Sequence, residues 1–190
     1  RIRDIRLSER RLYLQITDIF ALASDYDKNN IITKEFFAFI QNKLHYAIAG
    51  GTAAEIIHNR VDAIKETMGL TSWAHSPNGK IYKTDVTEAK NYLKEKELHR
   101  LRLAVSAFLD LAEMRAERQL PTTMQDWIGF MGGYLELNGY PVLEGLGKIS
   151  KEQADKKALN EYSKFQVIQD RSYESDFDKM IKDVNKKAKS

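Results

Sequence analysis

Residues 41–57 read QNKLHYAIAGGTAAEII. The first half continues an apolar-striped helix, in which Phe36, Phe37, Ile40, Leu44, Ala47 and Ile48 recur at intervals of three and four. Gly50 suits the left-handed residue that ends a helix. Thr52 and Glu55 then stand at the spacing of a capping box, with hydroxyl and carboxylate each accepting a backbone amide of the other's residue. The stretch is therefore a helix, a tight turn and a second helix. That reading makes the chain helical where it is most informative.

The same stretch also carries polar groups that a helical hairpin does not require. Asn42, Lys43 and His45 precede the turn, Thr52 opens the second helix and His58 follows on it. Free amides at a helix N-terminus attract anions. Lys43 could offset the Glu55 carboxylate, and His45 and His58 lie on consecutive helices, placed to face one another. Asn42, Lys43, His45, Thr52 and His58 are accordingly the ligand-binding candidates.

Working outward, helical spacing continues almost everywhere. A first segment over about 1–24 precedes a polar stop, SDYDKNN at 24–30, and Thr33 is placed to cap the helix 34–48. The polar stop has no Gly and no closing Glu, so it is no calcium loop. The second helix of the hairpin extends to about Glu66, with Val61 and Ile64 facing inward. Residues 67–85 form the longest irregular stretch, with a turn at Pro77-Asn78-Gly79, an anchor in Trp73 and a short extended piece around Ile81 and Tyr82. A helix over about 85–94 leads into a long one over about 96–119, whose buried stripe is Leu98, Leu101, Val105, Phe108, Leu109 and Ala112. Thr123 and Asp126 cap a helix over 124–137, where Gly132-Gly133 points to a close helix approach or a kink. Ser150 and Gln153 open another helix to about 169, and 175–188 forms a last, basic one.

The fold class is thus all-α, a compact multi-helix domain of about seven or eight helices with almost no strand. Residues 1–190 read as a single helical domain, with 175–190 as a basic C-terminal helix that can project from it.

Charge sharpens this. Formal net charge is +3, yet residues 1–11 hold five arginines against Asp4 and Glu9, and 179–190 hold five lysines against Asp183. The body between them is mildly acidic, which argues against a broad nucleic-acid groove, while the basic ends suit phosphate contacts. No apolar run approaches a membrane span. Cysteine is absent, so disulfides, thiolate metal sites and thiol nucleophiles are excluded, and a cytoplasmic location is expected. The chain begins at Arg1 without a signal-peptide pattern and reads as a piece of a longer protein.

Catalytic constellations do not assemble. Asp110, Glu113 and Glu117 form one acidic line on the long helix, but no Glu-x-x-His pair accompanies them, and His99 lies three turns away. No His adjoins a Ser in a hydrolase motif. Neither a metal, a cofactor nor a catalytic residue is assigned.

Five segments together carry a resemblance. They are RIRDIRLSERRLYLQITDIFALASDYD at the start, QNKLHYAIAGGTAAEII, MGLTSW, DVTEAKNYLKEKEL and VIQDRSYESDFDK. In that order they resemble the C-terminal region of the virulence-associated RhuM family, over nearly the whole chain. The resemblance implies a bacterial protein, often linked to mobile elements, whose N-terminal part is similar to phage antirepressor DNA-binding domains. It implies no established catalytic activity; gene regulation or host interaction is the expected setting. A second, distant resemblance is to the Fic/Doc enzymes and their loop H-x-F-x-x-x-N-(G/K)-R. Laying Asn42-Lys43 on its Asn-Lys puts Phe36 at the His, Ala38 at the Phe and Leu44 at the Arg, which implies a degenerate enzyme or a changed ligand.

The function expected is a non-enzymatic interaction or oligomerisation module serving a DNA-binding N-terminal domain, with a protein partner or a homo-oligomer as its target. Nucleic acid would be reached through that domain or the basic termini. The competing expectation is an enzyme or toxin acting on a nucleotide or nucleic acid, with the residues of the opening stretch around a phosphate.

Overall fold

The structure is a computed structural model that describes residues 31–172, together with 18 and 21–27. Among these, five α-helices and one 3-10 turn carry the chain: α1 (Ile31–Ala49), α2 (Ala53–Arg60), the turn Ala89–Tyr92, α3 (Glu95–Glu117), α4 (Met124–Leu137) and α5 (Lys151–Ser172). There is no strand among the described residues. The all-α expectation is met, but not its seven or eight helices. The predicted first helix falls largely, and the basic helix at 175–188 wholly, outside the described residues.

The core is continuous. Ile40 and Leu44 of α1, Ile57 of α2, Leu101 of α3, and Trp127 and Met131 of α4 are all almost fully buried in one cluster. Ala154 and Ala158 give α5 a smooth face, and α2 packs along that helix. Small residues there let the two backbones approach. α1 packs on both α2 and α3.

Four differences from the sequence reading have local causes. Thr33 lies inside α1 rather than at its cap, and its hydroxyl donates back to the Asp27 carbonyl at 2.7 Å. α2 stops at Arg60, not Glu66. Val61 is extended, and the Asp62 carboxylate accepts the Ile64 amide at 3.0 Å, offering the backbone an alternative to the next helical turn. Ile64, expected inward, is consequently 93% exposed. The helix expected over 85–94 is a single 3-10 turn, because the Asn91 side chain bonds the Asp85 carbonyl at 2.8 Å while its own carbonyl accepts the Thr71 and Ser72 amides. Finally, Gly132-Gly133 marks no close approach: a Cβ at either would meet nothing within 4 Å, and α4 runs through both.

The long stretch 61–88 is irregular but heavily tied. Asp85, buried, accepts the Ala74 and Tyr82 amides, each at 2.8 Å. Trp73 is the expected anchor, buried with its indole N–H donating to the Gly79 carbonyl at 2.8 Å. Ile81 has no strand partner. The Gln169 side chain on α5 takes that place, accepting its amide at 2.8 Å and donating to its carbonyl at 3.1 Å. No helix among the described residues is long and apolar enough to cross a membrane.

Candidate functional site

The corner between α1 and α2 forms as its sequence reads. Gly50 sits at φ +75 and donates to the Tyr46 carbonyl, closing α1. Thr52 and Glu55 make both bonds of the capping box: the Thr52 amide donates to Glu55 at 2.8 Å and the Glu55 amide to the Thr52 hydroxyl at 3.3 Å. The Ala53 amide is also taken, by the Asn42 carbonyl oxygen at 3.1 Å. Asn42 thus caps the helix that follows its own. The other Glu55 oxygen accepts the Lys148 amide at 2.7 Å, so the loop after α4 closes over the corner. Gly147 there has φ +87, and a Cβ on it would stand 2.7 Å from the Thr52 methyl. Thr52 is left 1% exposed. Burial alone would raise the Glu55 pKa, but the Lys148 and Thr52 amides and the Thr52 hydroxyl outweigh it, and the carboxyl is held below its ordinary value.

The remaining candidates do not gather around those amides. Lys43 lies over the Phe39 ring at 4.9 Å. His58 is half-buried, with Nδ1 3.4 Å from Asn59 Oδ1, while its carbonyl accepts Lys157 of α5 at 2.6 Å. His45 is buried on the other side of α1 from solvent, near Arg60 and Glu97. Burial first, and the Arg60 charge second, lower its pKa to about 4 against the opposing pull of Glu97. His45 is therefore neutral at pH 7. Arg60 and Glu97 form a two-pronged ion pair, 2.7 and 2.6 Å, that ties the end of α2 to the start of α3. Arg60 also donates to the Tyr92 carbonyl at 2.6 Å. The Glu97 carboxyl, although burial works against its charge, is held below its ordinary value by Arg60 and the Lys94 amide.

Phe36 and Leu44, which stand where the Fic/Doc pattern has its His and Arg, are both buried core residues within α1. Among the described residues no three His, Asp or Glu side chains are grouped to hold a metal. Asp110, Glu113 and Glu117 are exposed on α3.

The described residues also line surface depressions, two of which bear on the site. One, of about 600 Å³, lies between the 63–81 loop and α5; Trp73, Ile81 and Phe165 are in its wall, and Lys80 pairs with Asp170 beside it at 2.8 Å. The other, of about 670 Å³, is an apolar groove formed by Phe36, Ala38 and Phe39 of α1, Ile128 of α4, and Leu143 and Leu146 of the following loop. Among the described residues its rim carries Asn42, Gln125 and a single charge, Glu35. Leu146 is 83% exposed. Sequence reading missed this groove. Its signal was the run VLEGLG at 142–147, in which Leu146 is held between two glycines of positive φ.

An all-α domain with a self-satisfied polar corner and an open apolar groove is the class that this geometry defines. The Virulence protein RhuM family pattern matches residues 1–174. The chain belongs to that family. No curated protein and no solved structure matches it.

Proposed function

We propose that the chain is a non-enzymatic helical interaction module of a RhuM-family protein, serving a DNA-binding domain as the family resemblance implies. One observation carries this reading: the α1–α2 corner spends its named amides and the Glu55 carboxylate within the chain, yet the groove beside it is open, with Leu143 buried in its wall and Leu146 83% exposed at its edge. Apolar side chains on a floor fixed by hydrogen bonds are what a partner's anchor residues require. The corner serves this purpose by fixing the groove wall, since Gly147 and Lys148 lock onto Thr52 and Glu55 one residue beyond Leu146.

The groove is too small for a globular face and suits one turn or two of an amphipathic helix with large aliphatic anchors. Glu35, the one rim charge among the described residues, selects a helix with basic flanks. The test is a methyl-resolved NMR titration with a synthetic helix of leucine face and lysine flanks. Shifts at Leu143 and Leu146 are expected, lost in Leu146→Glu, and Glu35→Lys is expected to favour glutamate flanks over lysine. Absence of shifts at millimolar peptide, together with thermal stabilisation by nucleotides, would favour the enzymatic alternative instead.

A further inference from the structure

α3 has two faces at the same spacing. Leu98, Leu101, Val105, Phe108 and Ala112 are buried against the core. On the opposite side Lys96, Arg100, Leu103, Ala107, Asp110, Met114 and Glu117 recur at strict alternations of four and three, the period of a helix pair's contact seam. All but the half-buried Ala107 are exposed; Leu103 is 55% and Met114 51% exposed.

The charges on this seam are sorted. On the seam itself Lys96 and Arg100 occupy the first half, with Arg102 on its flank, and Asp110 and Glu117 occupy the second half, with Glu113 on its flank; the basic half also has Glu95 on that flank, and Glu97, which is paired with Arg60. Neither the four seam charges nor Arg102 and Glu113 make an ion pair with another described residue. Arg115, the one cation amid the acidic half, is turned to Thr122 at 2.7 Å and to the Phe130 ring. The helix dipole is served by other residues, Glu95 and Glu97 in the first turn and Arg115 in the last, whereas Lys96 and Glu117 at the two ends of the seam run against it, so the dipole does not account for the order along the seam.

We propose that this face pairs with the same face of a second copy, α3 against α3 in antiparallel sense about a two-fold axis. Antiparallel pairing brings each basic half over the partner's acidic half. The seam's period permits a register with Arg100 opposite Asp110, Leu103 opposite Ala107 and Lys96 opposite Met114, each repeated by symmetry. Leu103 and Ala107 then form a small apolar centre flanked by two Arg–Asp pairs. Charges ordered in this way select the second copy over other partners and set its direction. The inference builds on the interaction-module reading but uses a different face from the groove, so loss of peptide binding at Leu146 leaves it standing.

Sedimentation velocity of the 190-residue chain tests it, across concentration and at low and high salt, with circular dichroism on every variant to confirm that it is folded. A dimer is expected at low salt, shifting toward monomer at high salt. Arg100→Asp and Asp110→Arg are each expected to weaken it at least ten-fold. The chain carrying both substitutions is expected to regain the dimer, because each new Asp meets a new Arg across the axis. A monomer at all concentrations in low salt would overturn the proposal. So would a dimer that Arg100→Asp leaves unchanged, or one that both single substitutions abolish and the double substitution fails to restore.

Discussion

The α1–α2 corner and the outer face of α3 are both rich in polar groups, and they treat them in opposite ways. At the corner every amide named above has a side-chain or backbone acceptor, and Arg60 and Glu97 nearby hold each other in a two-pronged pair. On the α3 face Lys96, Arg100, Asp110, Glu113 and Glu117 find no ionic partner among the described residues. Polar groups withdrawn from water must be matched or they cost stability, whereas exposed ones are matched by water at little cost. The corner is thus built to hold the fold together, whereas the α3 face keeps its charges in solvent, as the proposed pairing requires.

The largest break in this contrast is Arg60→Met. It leaves the Glu97 carboxylate, mostly withdrawn from solvent, without its cation and strips a donor from the Tyr92 carbonyl. Removing one member of such a pair costs about 3 kcal/mol. Urea denaturation is expected to show that loss as a lower midpoint with an unchanged slope.

His45 gives the next largest effect, and it is read through pH. Its folded pKa of about 4 lies below the ordinary value of 6.5. Between those values the unfolded chain binds a proton that the folded chain does not, so stability falls as pH falls from 6.5 and the loss levels off below about 4. The slope approaches about 1.4 kcal/mol per pH unit. Glu55 and Glu97, held below their ordinary value of 4.5, add a further loss only at lower pH, as each takes up a proton through its folded pKa. His45→Leu is expected to flatten the stability profile between pH 6.5 and 4.5 while leaving that acid limb in place. Chemical denaturation at a series of pH values measures both limbs.

How far these regions were legible in the sequence follows from the range of the interactions that build them. The corner was readable because a capping box and a terminating glycine act over three residues. α3 and α4 were readable because their buried stripes repeat without interruption. The C-terminal end of α2 and the 85–94 stretch were not, since Asp62, Asp85 and Asn91 divert the backbone by bonds that helical periodicity does not encode. Long-range pairings were invisible for the same reason. Nothing local tells Arg60 to meet Glu97, 37 residues on, or brings Lys148 to Glu55 across 93. Of the five candidate residues, Thr52 was placed correctly at its cap, and Asn42 proved to cap the same helix from a distance. The groove escaped notice because three separate elements contribute to it.

The smallest effect sharpens the comparison most. Arg100→Met is the same chemical change as Arg60→Met, made on the α3 face. Arg100 is exposed and makes no hydrogen bond or ion pair with a described residue, so its removal leaves nothing buried and unmatched. Substitutions at such positions stay within about 0.5 kcal/mol. Measured in dilute solution, where each chain is alone, the denaturation midpoint of Arg100→Met is expected to match that of the parent. At high concentration the two should diverge, because a dimer adds stability by mass action and Arg100→Met weakens that dimer. A loss comparable to that of Arg60→Met in dilute solution would place Arg100 among the groups that hold the fold, and the α3 face would no longer be free for a partner.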